Sequence, residues 1–172
     1  MKLFTSKSQK GFTLVEMLVA IAIFMIVVVT TLGAFLKMVD VNKKVQSVRN
    51  AMDNANLAME TMMRNIRLGY DYSSFGENGI SFRSQNGAVL TYSLGGTGTQ
   101  IIRTVDGGDA VAITSPDLVI ENLTFDIIGA SVADDVQAHV KILLKGETVL
   151  PKNEHNFDFS FQSLATQRLY DK

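Results

Sequence analysis

Residues 17–36, MLVAIAIFMIVVVTTLGAFL, are 20 consecutive residues without a charged side chain, and they set the first limit on what this chain can become. As a helix rising about 1.5 Å per residue, the run covers about 30 Å, the thickness of the hydrocarbon core of a bilayer. The flanks bear on orientation. Lys2, Lys7 and Lys10 lie ahead of the run with no acid among them, as the positive-inside rule expects of a cytoplasmic flank. Lys37, Lys43, Lys44 and Arg49 follow it with only Asp40 between them, so charge bias alone leaves the orientation open. The whole chain has 172 residues, enough for one domain with a core of its own beside an anchor. Its 16 basic and 17 acidic residues give no whole-chain attraction for nucleic acid. The absence of cysteine excludes disulfides, thiolate catalysis and zinc sites built on thiolates.

One acid, Glu16, stands at the edge of the apolar run, and it narrows the readings of the N-terminus. A secretory signal peptide fits poorly. The apolar stretch is longer than an ordinary signal core, Glu16 sits near its start, and no small-x-small cleavage pattern precedes Lys37. A plain membrane anchor with Glu16 at the interface accounts for the length but leaves Gly11 and Phe12 unexplained.

The segment KGFTLVE, residues 10–16, resembles the class III signal of type IV pilins and type II secretion pseudopilins: a short basic leader, a glycine, an aromatic residue, and an acid four positions later. Thr13, Leu14 and Val15 agree with the same pattern. The resemblance implies cleavage between Gly11 and Phe12 by a membrane-embedded prepilin peptidase, N-methylation of Phe12, and retention of the apolar helix. It also implies a single-pass protein of the inner (cytoplasmic) membrane with an extracytoplasmic head, assembled with other subunits by an inner-membrane platform. Removal of residues 1–11 takes away three lysines and no acid, leaving a formal charge of −4 before the new amine. A carboxylate near lipid is costly without a partner. In the family, the acid at the position of Glu16 attracts the new amine of a neighbouring subunit, and Thr13 lies beside it. Such a pair in low dielectric sets register more than it adds stability. Many members carry a proline deep in the membrane helix. Here the comparable place holds Gly33, which weakens a helix by about 1 kcal/mol against about 3 for proline.

Beyond residue 36 the apolar residues keep a helical period: Val41, Val45, Val48, Met52, Ala55, Met59, Met62 and Ile66. One helix is predicted over residues 12–68, ending at Gly69. Its apolar stripe fits either a coiled coil or a sheet of the same chain, with methionine as gap filler. After Gly69 the period shifts towards two. Strands are predicted over residues 79–83, 88–94, 100–105, 110–114, 118–128, 138–145 and 156–163, forming an antiparallel sheet of hairpins with turns at residues 95–98 and 106–109. The expected fold class is α+β and pilin-like, divided into a leader (1–11), a membrane and filament-core helix (12–36), its amphipathic continuation (37–68) and a β-rich head (69–172). The segments FDFSFQSLATQRLYDK, ENLTFDI and METMMRNIRLGY are similar to the J-type minor pseudopilins and related minor pilins.

The sequence matches none of the common catalytic or metal-binding motifs. His139 and His155 lack metal-ligand spacing, and GGTGTQ at residues 95–100 lacks the lysine of a phosphate loop. The pairs Asp106 with Asp109 and Asp134 with Asp135 suit a hard cation in type but lack calcium-loop spacing. Asn122 begins an NLT acceptor triplet inside a predicted strand. The expected protein is therefore a structural filament subunit with no catalytic residues, cofactor or metal. Two alternatives stand beside it: a filament-tip binding module that uses residues 70–77, with Tyr70, Tyr72 and Phe75, and an ordinary membrane-anchored extracytoplasmic domain, hydrolytic or otherwise.

Overall fold

A computed structural model of the chain describes residues 11–95, 99–130, 137–149 and 156–168. The leader lysines, part of the turn after Gly95, Asp134, Asp135, Pro151, His155 and residues 169–172 lie outside the described residues. A single α-helix, α1 (Leu14–Arg67), is followed by β1 (Tyr70–Ser74), β2 (Ile80–Arg83), β3 (Val89–Leu94), β4 (Ile101–Val105), β5 (Val111–Ala112), β6 (Leu118–Ile128), β7 (His139–Thr148) and β8 (Phe157–Thr166). The chain divides into two compact units, Met1–Lys43 and Lys44–Lys172.

The first unit contains the N-terminal part of α1. None of its apolar window is buried within the chain, and Phe24, Ile26, Val29, Phe35 and Leu36 are all more than 60% exposed. A helix apolar on every side needs lipid or other helices around it. Its polar side chains are satisfied internally: the Thr30 hydroxyl reaches the carbonyls of Ile26 and Val27, and the Thr31 hydroxyl donates to Val27 at 2.7 Å. Hydroxyls that bond back to their own helix are what an apolar solvent requires. The helix passes Gly33 without interruption.

The second unit buries the C-terminal part of α1 under two antiparallel sheets, one in the order β1-β2-β3-β4-β5 and the other β6-β7-β8. A long N-terminal apolar helix packed at its far end on antiparallel β-structure is the expected class, realised with two sheets where a single one was read. The buried stripe is Ala51, Ala55, Ala58, Met59, Met62 and Ile66. It begins later than the sequence pattern did, because Val41 and Val45 stay exposed while small Ala51 and Ala58 let the strands approach the helix closely. The methionine stripe thus packs within its own chain. Ile80, Phe82, Tyr92, Ile101, Leu118, Ile120, Leu123, Val140, Ile142 and Leu144 close over it.

The helix stops at Gly69 for a packing reason. A Cβ there would run into the Phe82 ring, so the chain must be bare where it turns under the sheet. The Tyr72 hydroxyl lies 2.7 Å from both the Ile66 and Gly69 carbonyl oxygens and serves the orphan acceptors of the last turn. Tyr72, Phe82 and Tyr92 form a ladder of rings with centroids 5.9 and 6.1 Å apart. Strand β1 lies ahead of the first predicted strand because YDYSS is polar, and in the structure Asp71 takes a positive φ of 60° beside a bulge. Strand β7 runs beyond the expected stop at Lys145. Gly146 is a strand residue where Val119 and Ile120 come too close for any side chain.

Candidate functional site

The start of α1 gives residues 11–16 their geometry. Gly11, Phe12 and Thr13 precede the helix and are exposed, Phe12 at 78%. Nothing among the described residues lies within 4 Å of a Cβ placed on Gly11, so the peptide bond between Gly11 and Phe12 is sterically open. Thr13 occupies the position just before the first helical residue. Its Oγ1 accepts from the Glu16 backbone N–H at 3.2 Å, and the Glu16 Oε2 accepts in return from the Thr13 N–H at 3.5 Å. This reciprocal pair is a capping box: two of the four orphan N–H groups at a helix start are met by side chains three residues apart. A carboxylate in the first turn also suits the positive end of the helix dipole.

Thr13 and Glu16 are therefore brought together, and Phe12 stands immediately ahead of them. The sequence reading gave Glu16 an intermolecular role and missed this intramolecular one, although the signal, a threonine followed by glutamate three residues later before an apolar run, was present in TLVE. Every group needed for the cap lies within four consecutive residues, so it forms without help from the rest of the chain.

Two concave surfaces lie among the described residues of the head. One, of about 700 Å³, is lined by Glu60, Met63, Arg64, Arg67, Leu68, Thr166 and Arg168. The Arg168 N–H donates to the Arg67 carbonyl at 2.8 Å, which pins the end of β8 to the end of α1 and gathers three arginines separated in sequence by about a hundred residues. The other, of about 340 Å³, lies between Phe75–Asn78 and Ser93–Leu94. Of the three aromatics offered for recognition, Tyr70 and Phe75 are exposed, but Tyr72 is 8% exposed and is committed to the core and the helix end.

The remaining candidates have structural surroundings. Asp106 holds the β4–β5 turn at a φ of 49° and accepts from the Val89 N–H at 2.7 Å, while Asp109 is exposed. His139 places Nδ1 3.2 Å from the Gln137 carbonyl, and Asn122 lies exposed in β6. No group of three or more histidine or acidic side chains able to hold a metal occurs among the described residues. The Tyr92 phenol is raised above its usual 10.0 by burial, with the Asn65 amide at 2.6 Å and the Arg103 guanidinium opposing the rise.

Compared with protein families, residues 6–32 match the prokaryotic N-terminal methylation motif. The matched stretch takes in Gly11, Phe12, Thr13 and Glu16 and most of the apolar run. No curated protein and no solved structure matches the chain.

Proposed function

From the premise that its N-terminal methylation motif makes this chain a protein of the type IV pilin and pseudopilin family, we propose that it is a structural subunit of a type IV pilus or type II secretion pseudopilus. In this reading it is held in the inner membrane by the apolar part of α1, with its head on the extracytoplasmic side. Prepilin peptidase cuts between Gly11 and Phe12, the new amine on Phe12 is methylated, and the assembly platform moves the helix from lipid into a bundle of like helices. The observation that carries the proposal is the pairing of an open Gly11–Phe12 bond with a capped, fully exposed apolar helix start. A helix surface that is apolar on all sides exchanges lipid for other helices with little change in solvation, so register comes from close packing and from polar groups. Glu16 is the acid available at that depth.

The capping box separates two roles of Glu16 that would otherwise be confounded. Glutamine also closes a capping box, so Glu16→Gln keeps the helix start and removes only the charge. The prediction is that Glu16→Gln and Glu16→Ala are both inserted and cut normally, and both drop out of the filament. If Glu16→Gln assembles like the unsubstituted chain while Glu16→Ala does not, the carboxylate acts as a cap alone and the charge-pairing role is wrong. Mass spectrometry of the protein taken from its membrane tests the processing step. A chain starting at methylated Phe12 is expected, and an intact residue 1 or a start beyond Leu36 would remove the proposal.

A further inference from the structure

Among the described residues, the head carries charge of opposite sign without salt-bridge partners at the two ends of strand β8. At its C-terminal end, Arg64, Arg67 and Arg168 face one open groove with Thr166 and a single acid, Glu60. None of the three guanidiniums is in an ion pair among the described residues. At its N-terminal end, Asp158 lies directly opposite Glu147 of β7. Two carboxylates at cross-strand positions repel each other, and neither has a salt-bridge partner among the described residues. Elsewhere in the same sheet Lys141 of β7 meets Asp126 of β6 at 2.8 Å.

The two ends are far apart. Eight residues separate Asp158 from Thr166, about 27 Å of strand, so no rearrangement within one head can bring the acids to the arginines. Residues 44–172 carry 15 acidic against 11 basic side chains, so three arginines in one groove stand out from an acidic surface. A second copy of the same head supplies both complements at once. Because the two patches differ, the contact between them is heterologous, and a heterologous contact that does not close on itself propagates as an open helical array.

We propose that the groove of Arg64, Arg67 and Arg168 on one subunit receives the Glu147 and Asp158 carboxylates of the next, as a head-to-head register contact along the filament. This rests on the filament reading above. Guanidinium forks suit carboxylates because two parallel N–H donors meet two oxygens.

The test is made on the full-length chain in its own membrane. Arg67 and Arg168 are exposed and outside the core, so Arg67→Glu with Arg168→Glu should spare the fold. We expect that double variant to lower incorporation into sheared filaments by about tenfold, the scale of losing one close charge pair. Adding Glu147→Lys and Asp158→Lys to it should restore incorporation, which simple loss of folding would not allow. The chain has no cysteine, so a variant with Thr166→Cys and Ser160→Cys, which leaves both acids and all three arginines in place, should give a ladder of disulfide-linked multimers in oxidised filaments. Normal incorporation of the arginine variant, failure of the swap to restore it, or filaments without the ladder would each overturn the contact. Loss of retained DNA or inorganic phosphate with unchanged assembly would overturn it in favour of a phosphate-binding groove. If the protein taken from its membrane does not start at methylated Phe12, the filament reading fails first; if it does and the arginine variant assembles normally, only this contact fails.

Discussion

Single residues in this head are constrained mostly by what they lack room for. Gly146 sits in β7 facing the bulge of β6, with the Val119 carbonyl, the Ile120 backbone and the Phe159 ring around the place where a Cβ would stand. Two of those neighbours are backbone and cannot swing away. Gly146→Ala should therefore lower the stability of the head by about 1–3 kcal/mol, read as a shift in the urea midpoint at unchanged slope. Tyr92 is fully buried and its phenol is raised by that burial, so the folded form holds its proton above pH 10.0 while the unfolded form releases it. Its contribution to stability is intact below pH 10.0 and is lost as pH rises through the folded value. Tyr92→Phe should flatten the alkaline fall in the urea midpoint, at some cost at neutral pH from leaving the Asn65 amide without its partner. In the sequence, Gly146 resembled a strand end and Tyr92 an ordinary alternating aromatic. What distinguishes them is the neighbouring strand, which primary structure does not reveal.

The elements were legible in proportion to how local their causes are. Helix α1 was read within two residues at each end, because its apolar run, its polar face and Gly69 are all sequence features. Six of the expected strands that carry clear alternation, those becoming β2, β3, β4, β6, β7 and β8, lie where alternation placed them. β1 escaped because its central Tyr72 alone points inward and its polar neighbours read as loop. The division into two sheets escaped too, since Ser115-Pro116-Asp117 between β5 and β6 marks a break in the chain but not whether the next strand rejoins the same sheet. At the site, Gly11, Phe12 and Glu16 were found by pattern, whereas Arg168 joins Arg64 and Arg67 only through the fold. For the helix start, Thr13→Ala removes one side of the capping box and should destabilise the first turn by about 1 kcal/mol. Hydrogen exchange in detergent should then show faster exchange at the amides of the first turn, Thr13–Met17, and unchanged rates beyond Phe24. Equal rates throughout would mean that the cap contributes nothing in that environment.

At the scale of the whole molecule, the two units depend on different surroundings. The unit from Lys44 onward has a core of its own, whereas the apolar helix of the first unit has none of its window buried. Heating the protein in detergent should therefore remove the near-ultraviolet tyrosine signal in one cooperative transition and leave a substantial part of the helical far-ultraviolet signal behind. Simultaneous loss of both would contradict the division. The strand orders 1-2-3-4-5 and 6-7-8 have a kinetic meaning as well. Every strand pairs with the one synthesised just before or after it, so no segment must wait for a distant partner, and the loops closed at each step are short. Chains built this way pay little entropy before each contact rewards them, and they reach the native state faster than β-structures with crossovers. The order in which this chain becomes available is thus also the order in which it can pair, and the first sheet can be complete while the second is still being made.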